Sequence, residues 1–326
     1  MGRAAITVLA AITLANPSTQ HAALADSLLS PLRQQAKALA PLAHSVVARQ
    51  FLAAAADLPS VRTRTIYRDS TTGTYFRETD VSSLSEGIRS RLVPIKVDAL
   101  YFYQTRYGTI LNYLRVIDLL GANGVTTFEG KRLLDFGYGR IGHLRAIASL
   151  GATAVGVDVD PELPALYGER GDQGLIRGTN RREGFLSIVY GSFPGDSAAR
   201  RQVGGAYDLV ISRNTLKGGH EPAQRARQSR VINLGVSDST FVRAIFESMR
   251  SGGLFMMYTV SGPKGNAHCP FSEGIVRAIG FQVVAYDEDD SDHTRAMLRV
   301  LNREQRETPS APDEESTALY TLLRKP

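Results

Sequence analysis

The chain has 326 residues, 43% of them hydrophobic, with a formal charge of +6 and one cysteine, Cys269. That length holds one large domain or a domain with a smaller companion, with enough apolar side chains for a sizeable core. A single cysteine excludes an intramolecular disulfide and a cysteine-rich zinc site, and no Lys/Arg run with interleaved aromatics marks a nucleic-acid surface; neither a metal nor a nucleic acid is expected.

The first residues, "MGRAAITVLAAITLANPSTQHAALADS", place Arg3 before an apolar run from Ala4 to Ala15, then a polar stretch and the small-x-small site Ala23-Leu24-Ala25. That layout is a secretory signal over residues 1–25, its apolar run too short to span a bilayer. The expectation is a secreted or periplasmic chain without a membrane span; an Ala-rich amphipathic helix on a cytoplasmic protein is the other reading. Residues 26–95 form an N-terminal extension. It opens with helical spacing interrupted by Pro31 and Pro41, followed by two short strands, "TIYRD" and "TYFRE", joined by a Ser/Thr/Gly turn.

Residues 96–326 form the main domain. An aromatic and then helical stretch stops at Gly121 and Gly124, after which strands and helices alternate. The strands are "KRLLDFG", "TAVGVDVD", "FLSIVYGSF", "AYDLVISRN", "LFMMYTV", "FQVVAYD" and finally "TALYTLLRK", which follows a polar loop rather than a helix. The pattern predicts a doubly wound, Rossmann-like α/β sheet of seven strands, with an antiparallel last strand at its edge.

The stretch "RLLDFGYGRIGHL" carries two fingerprints. Gly137, Gly139 and Gly142 read as the phosphate turn of a dinucleotide fold, with Asp158 as the acid for ribose hydroxyls. Asp135 argues against it, because a carboxylate at that strand end would repel a pyrophosphate. S-adenosylmethionine has no phosphate and carries a cationic sulfonium and a cationic amino group. Asp135 suits that amino group, the glycines give room for the methionine portion, and Asp158 bridges the ribose. After the third strand, Ser192 and Phe193 stand where an acid and its neighbour usually meet adenine. The fourth strand ends in Ser212-Arg213-Asn214, facing the cleft beyond the carboxyl ends of the strands.

Together these segments resemble the class I S-adenosylmethionine-dependent methyltransferases from about Tyr101 onward. "LLDFGYGRIG" looks like motif I, "AVGVDVDP" like the acidic loop after strand two, and "YDLVISRN" like motif IV. "SMRSGGLFMMYTV" looks like the segment usually read LKPGGxL. The overall phrasing is similar to bacterial methyltransferase-domain proteins. The resemblance implies S-adenosylmethionine as cofactor, with contacts at Asp135, Gly137, Gly139 and Asp158. Ile141 departs from the family's third glycine and Ser192 from its usual acid. Upstream, Tyr107 or Arg106 in "YFYQTRYG" is placed to bind the methionine carboxylate. For the transfer itself, His220 is the best base by its pKa range, with Lys217 beside it. Asn214 would orient an acceptor, and Tyr258 ends strand five on the same side. The expected activity is methyl transfer to a small molecule. A nicotinamide-dependent oxidoreductase and a non-catalytic exported binding protein are the alternatives.

Overall fold

The computed structural model describes residues 29–105, 108–178, 181–216, 235–262, 266–302 and 315–326. The two prolines of the first helical stretch mark starts rather than breaks. Pro31 lies in the first turn of helix Ser30–Leu39, where a missing N–H is tolerated, and Pro41 lies in the 3-10 turn Ala40–Leu42. Ser45 then caps helix Val46–Ala56 by accepting from the Ala48 amide. Gly121 does not stop its helix, Leu114–Ala122. It is the point of closest approach to the N-terminal helices, since a Cβ there would stand 2.3 Å from the Ser45 side chain.

A small antiparallel sheet follows, with β1 (Arg64–Asp69) between β2 (Tyr75–Arg77) and β3 (Leu92–Val97). β1 and β2 are the hairpin expected from the sequence. β3 was hidden because Pro94 reads against a strand; it is tolerated here because β3 is an edge strand.

The main sheet contains β4 (Arg132–Phe136), β5 (Thr153–Asp158), β6 (Gly174–Arg177), β7 (Glu183–Tyr190), β8 (Tyr207–Arg213), β9 (Met249–Ser261), β10 (Gln282–Asp289) and β11 (Thr317–Arg324). Their order is β10-β11-β9-β8-β4-β5-β7-β6. The pairs β4–β5, β4–β8, β5–β7 and β8–β9 are parallel, which makes this a Rossmann-like, doubly wound sheet. Two details correct the sequence reading. The sheet has eight strands among the described residues, the addition being β6, four residues antiparallel to β7 at the far edge. β11 is antiparallel as expected, but it is inserted between β9 and β10 rather than placed at the edge.

Residues alternate between two buried faces. Leu133, Leu209, Ile211, Leu254 and Met256 join one core with the N-terminal helices, while Leu134, Val210, Phe255 and Met257 join the other with helix Asp238–Ser248. This period of two decides the site, because it sends the odd-numbered residues of β4 and β8 and the even-numbered ones of β9 towards the first face. The chain leaves β4 in one direction to β5 and β7, then crosses back to β8. A crevice opens at the carboxyl ends of β4 and β8, where that reversal occurs. Among the described residues, no helix is long and apolar enough to cross a membrane.

Candidate functional site

A cleft of 510 Å³ occupies that crevice, within the range usual for small-molecule sites. Its floor is the loop after β4. Gly137 has φ +77°, and a Cβ there would fall 2.2 Å from the side chain of Thr215, whose hydroxyl donates to the Gly137 carbonyl at 2.9 Å. Gly139, at φ +61°, has nothing within 4 Å of its Cβ position, so its open face belongs to the cleft. Gly142 plays a third part. A Cβ there would meet the Tyr103 carbonyl at 2.3 Å and Ile110 at 2.4 Å, so it is a packing glycine against the segment that precedes the main helix.

The amides of this loop are already used within the protein. Gly137 donates to the Val157 carbonyl, Gly139 to Asp158 Oδ2, Arg140 to the Tyr138 carbonyl, and Ile141 to the Tyr167 hydroxyl. Asp158, at the end of β5, also accepts from the Val159 and Asp160 amides through Oδ1. Burial pushes its carboxyl above the usual value, while the three amides pull it back.

Asp135 stands beneath the loop, fully buried and not part of the cleft wall. Its Oδ2 accepts from the Tyr113 hydroxyl at 3.0 Å and lies 2.5 Å from His143 Nε2, which places a proton on that ring nitrogen. Tyr113 stacks on the His143 ring with centroids 3.6 Å apart. Among the described residues, Asp135 Oδ1 and His143 Nδ1 are buried without a hydrogen-bond partner. This triad is not legible in the sequence, where Tyr113 and His143 both read as ordinary helix residues. Arg213 follows from the same face of the sheet: its guanidinium lies over the Tyr113 ring at 5.7 Å and lines the cleft. Its Nε has no partner among the described residues, and desolvation lowers its pKa.

Beside the cleft, Gly191, Ser192 and Phe193 form a small recess with Phe136, Val157 and Val159. Gly137 and Asp158 line both spaces, so the recess continues the cleft along the strand ends. Its walls are largely apolar, with Phe193 buried and the Ser192 side chain half-buried.

The catalytic expectations divide. Asn214 lines the cleft in the left-handed conformation (φ +59°), and its Oδ1 accepts from the Val260 amide at 2.7 Å, tying β8 to β9. Tyr258 is corrected. It lies on the first buried face, wholly unexposed, with its hydroxyl 2.7 Å from Asp290 Oδ2 and 2.5 Å from Thr294 Oγ1. The strand period that puts Arg213 at the cleft puts Tyr258 in the core beside it. His220, Lys217, Arg106 and Tyr107 lie outside the described residues, as do residues 1–25.

The N-terminal sheet contributes a wall that the sequence reading did not assign, with Arg68, Gly73 and Tyr75 lining the same cleft. Among the described residues, no group of three or more His, Cys, Asp or Glu is placed to hold a metal.

No protein-family model and no curated protein matches the chain. Among solved structures, it is similar to Haemonchus contortus phosphoethanolamine N-methyltransferase 2 in complex with S-adenosyl-L-methionine, at 12% identity and TM-score 0.41, covering 81% of this chain and 68% of that one. It is similar to the [4+2]-cyclase SpnF at 17% identity and TM-score 0.40, covering 69% of this chain and 84% of that one. It is also similar to the cyclopropane synthase MmaA2 from Mycobacterium tuberculosis, at 13% identity and TM-score 0.40, covering 65% of this chain and 85% of that one.

Proposed function

We propose that the chain is a class I S-adenosylmethionine-dependent methyltransferase acting on a small-molecule acceptor. The observation that carries this reading is the state of the loop after β4. A dinucleotide pyrophosphate needs free amides at a helix N-terminus, and the amides of Gly137, Gly139, Arg140 and Ile141 in this loop are committed within the protein. A carboxylate with one unpartnered oxygen lies beneath that loop. This electrostatic setting suits a cationic ligand and opposes a phosphate.

In this reading the recess at Phe193 and Ser192 takes the adenine, and Asp158 accepts from the ribose hydroxyls. The open face of Gly139 lets the ligand approach the backbone. Arg213 pairs with the methionine carboxylate, relieving the burial of its unpartnered Nε. Asp135 supplies negative potential for the amino group and holds Tyr113 in place. The bound cofactor supplies an electrophilic methyl group. The protein aligns an acceptor against it and excludes water, with Asn214 at the acceptor end of β8. His220 is the proposed base where the acceptor needs one.

Calorimetric titration with S-adenosylhomocysteine tests the reading. Binding that is lost in Asp158→Ala supports it, and binding of NADH in its place would sink it. Export after cleavage at Ala25 is proposed from the sequence alone, and the intact mass of the mature protein tests it.

A further inference from the structure

S-adenosylmethionine brings one carboxylate, yet the cleft presents two arginines without an acid partner among the described residues. Arg213 comes from β8 of the main sheet and Arg68 from β1 of the N-terminal sheet. The other strand arginines of the N-terminal sheet are neutralised. Arg64 pairs with Asp172 and Glu169, and Arg77 pairs with Asp80. Arg68 is exposed at the end of β1, and its Nη2 lies 3.7 Å from where a Gly73 Cβ would stand.

The turn that displays Arg68 is held from beneath. Asp69 is buried, pairs with Arg91 at 3.0 Å and accepts from the Thr71 amide at 2.8 Å. The Arg91 guanidinium and these amides hold its carboxyl well below the usual carboxylate range. The whole sheet is fixed to the main domain through the Arg64–Asp172 pair and an Arg64 hydrogen bond to the Leu166 carbonyl. A cation on such a pre-ordered turn loses little conformational freedom when an anion arrives. Asp158 and Asp160 also line the cleft, and among the described residues neither is joined to Arg68 by an ion pair.

We propose that this wall is the acceptor subsite and that Arg68 reads an oxyanion, a carboxylate or a phosphate, on the methyl acceptor. This rests on the methyltransferase reading, in which Arg213 is taken by the cofactor. Tyr75, on the neighbouring strand, flanks the same space.

The test uses the full chain saturated with S-adenosylhomocysteine and titrated separately with succinate and inorganic phosphate. The expected result is that one of the two binds, and which one identifies the oxyanion. Arg68→Ala and Arg68→Gln should weaken that binding by about tenfold or more, with Arg68→Lys between. S-adenosylhomocysteine affinity and the circular dichroism spectrum should stay unchanged in all three. The proposal is overturned if neither anion binds the saturated protein, if the anion competes with S-adenosylhomocysteine, or if the Arg68 variants bind it as the parent does. Failure of S-adenosylhomocysteine itself to bind is a separate readout; it removes the methyltransferase reading and this proposal with it.

Discussion

Replacing Gly137 by Ala would test whether the loop's shape comes from backbone conformation alone or from backbone and packing together. An L-residue at φ +77° costs about 1–2 kcal/mol. The new methyl would also fall 2.2 Å from the Thr215 side chain, and forcing such a contact apart typically adds about 1–3 kcal/mol. If Thr215 turns away, its hydrogen bond to the Gly137 carbonyl is lost, at about 1 kcal/mol. Gly137→Ala should therefore destabilise by roughly 3–6 kcal/mol in urea unfolding, as the sum of these three effects. Thr215→Ala alone removes only the hydrogen bond. The double variant removes the 2.2 Å contacts but keeps a 2.6 Å approach to the residue-215 Cβ, so it should be no worse than Gly137→Ala, its cost falling short of the sum of the two single costs. Gly139→Ala is the control, since its Cβ meets nothing and only the backbone strain of about 1–2 kcal/mol applies. It should nevertheless weaken S-adenosylhomocysteine binding more than Gly137→Ala weakens it per unit of stability lost. Strictly additive costs for Gly137 and Thr215, or unchanged ligand affinity in Gly139→Ala, would refute the assignment of these two glycines.

Asp158 makes a pH prediction. Its carboxyl is raised, so it protonates at higher pH than an ordinary carboxylate, and ligand binding through the ionised form should fall as pH drops through that raised value. Its effect on folding has the opposite sign: a raised folded pKa favours the protonated native state, so this group opposes stability above its unfolded pKa and stops doing so on acidification. Asp158→Asn should remove that step from calorimetric affinity-versus-pH curves. Tyr258→Phe should cost about 1–3 kcal/mol in unfolding, because it removes the buried hydroxyl that bonds Asp290 and Thr294, while leaving S-adenosylhomocysteine affinity untouched. A loss of affinity without a loss of stability would return Tyr258 to the cleft. Asp135→Asn should weaken S-adenosylhomocysteine binding by about tenfold or more without creating NADH binding, and a gain of NADH affinity would contradict the charge argument.

Much of the fold was legible because the strands of a doubly wound sheet are short apolar runs punctuated by glycine. β4, β5, β7, β8 and β9 all carry that pattern. β6 was not, since four residues beginning with a glycine give no period to read. β3 was hidden by Pro94, and helix Ser291–Asn302 by its polar first turn. At the site, Gly137, Gly139, Asp158 and Arg213 could be placed because each sits at or just past a strand end. Tyr258 was misplaced because β9 runs on to Ser261, so this side chain lies within the strand and under the sheet's covering layer rather than at its end. The partners of Asp135 come from elements 22 and 8 positions away, and Arg68 comes from the separate N-terminal sheet. Only tertiary packing brings such residues together.

The position of β11 sets an order of assembly. β9 emerges during synthesis long before β11, and so does β10, yet these two strands cannot pair with each other in the native sheet because β11 lies between them. Until β11 is made, β9 exposes an apolar edge and β10 has no place in the sheet. A nascent chain halted in the loop before β11 would therefore hold its glycine loop and cofactor cleft already built, beside an open edge ready to take up a foreign strand. For this architecture the strands that frame the cleft are made while the far side of β9 is still the point most exposed to misassembly.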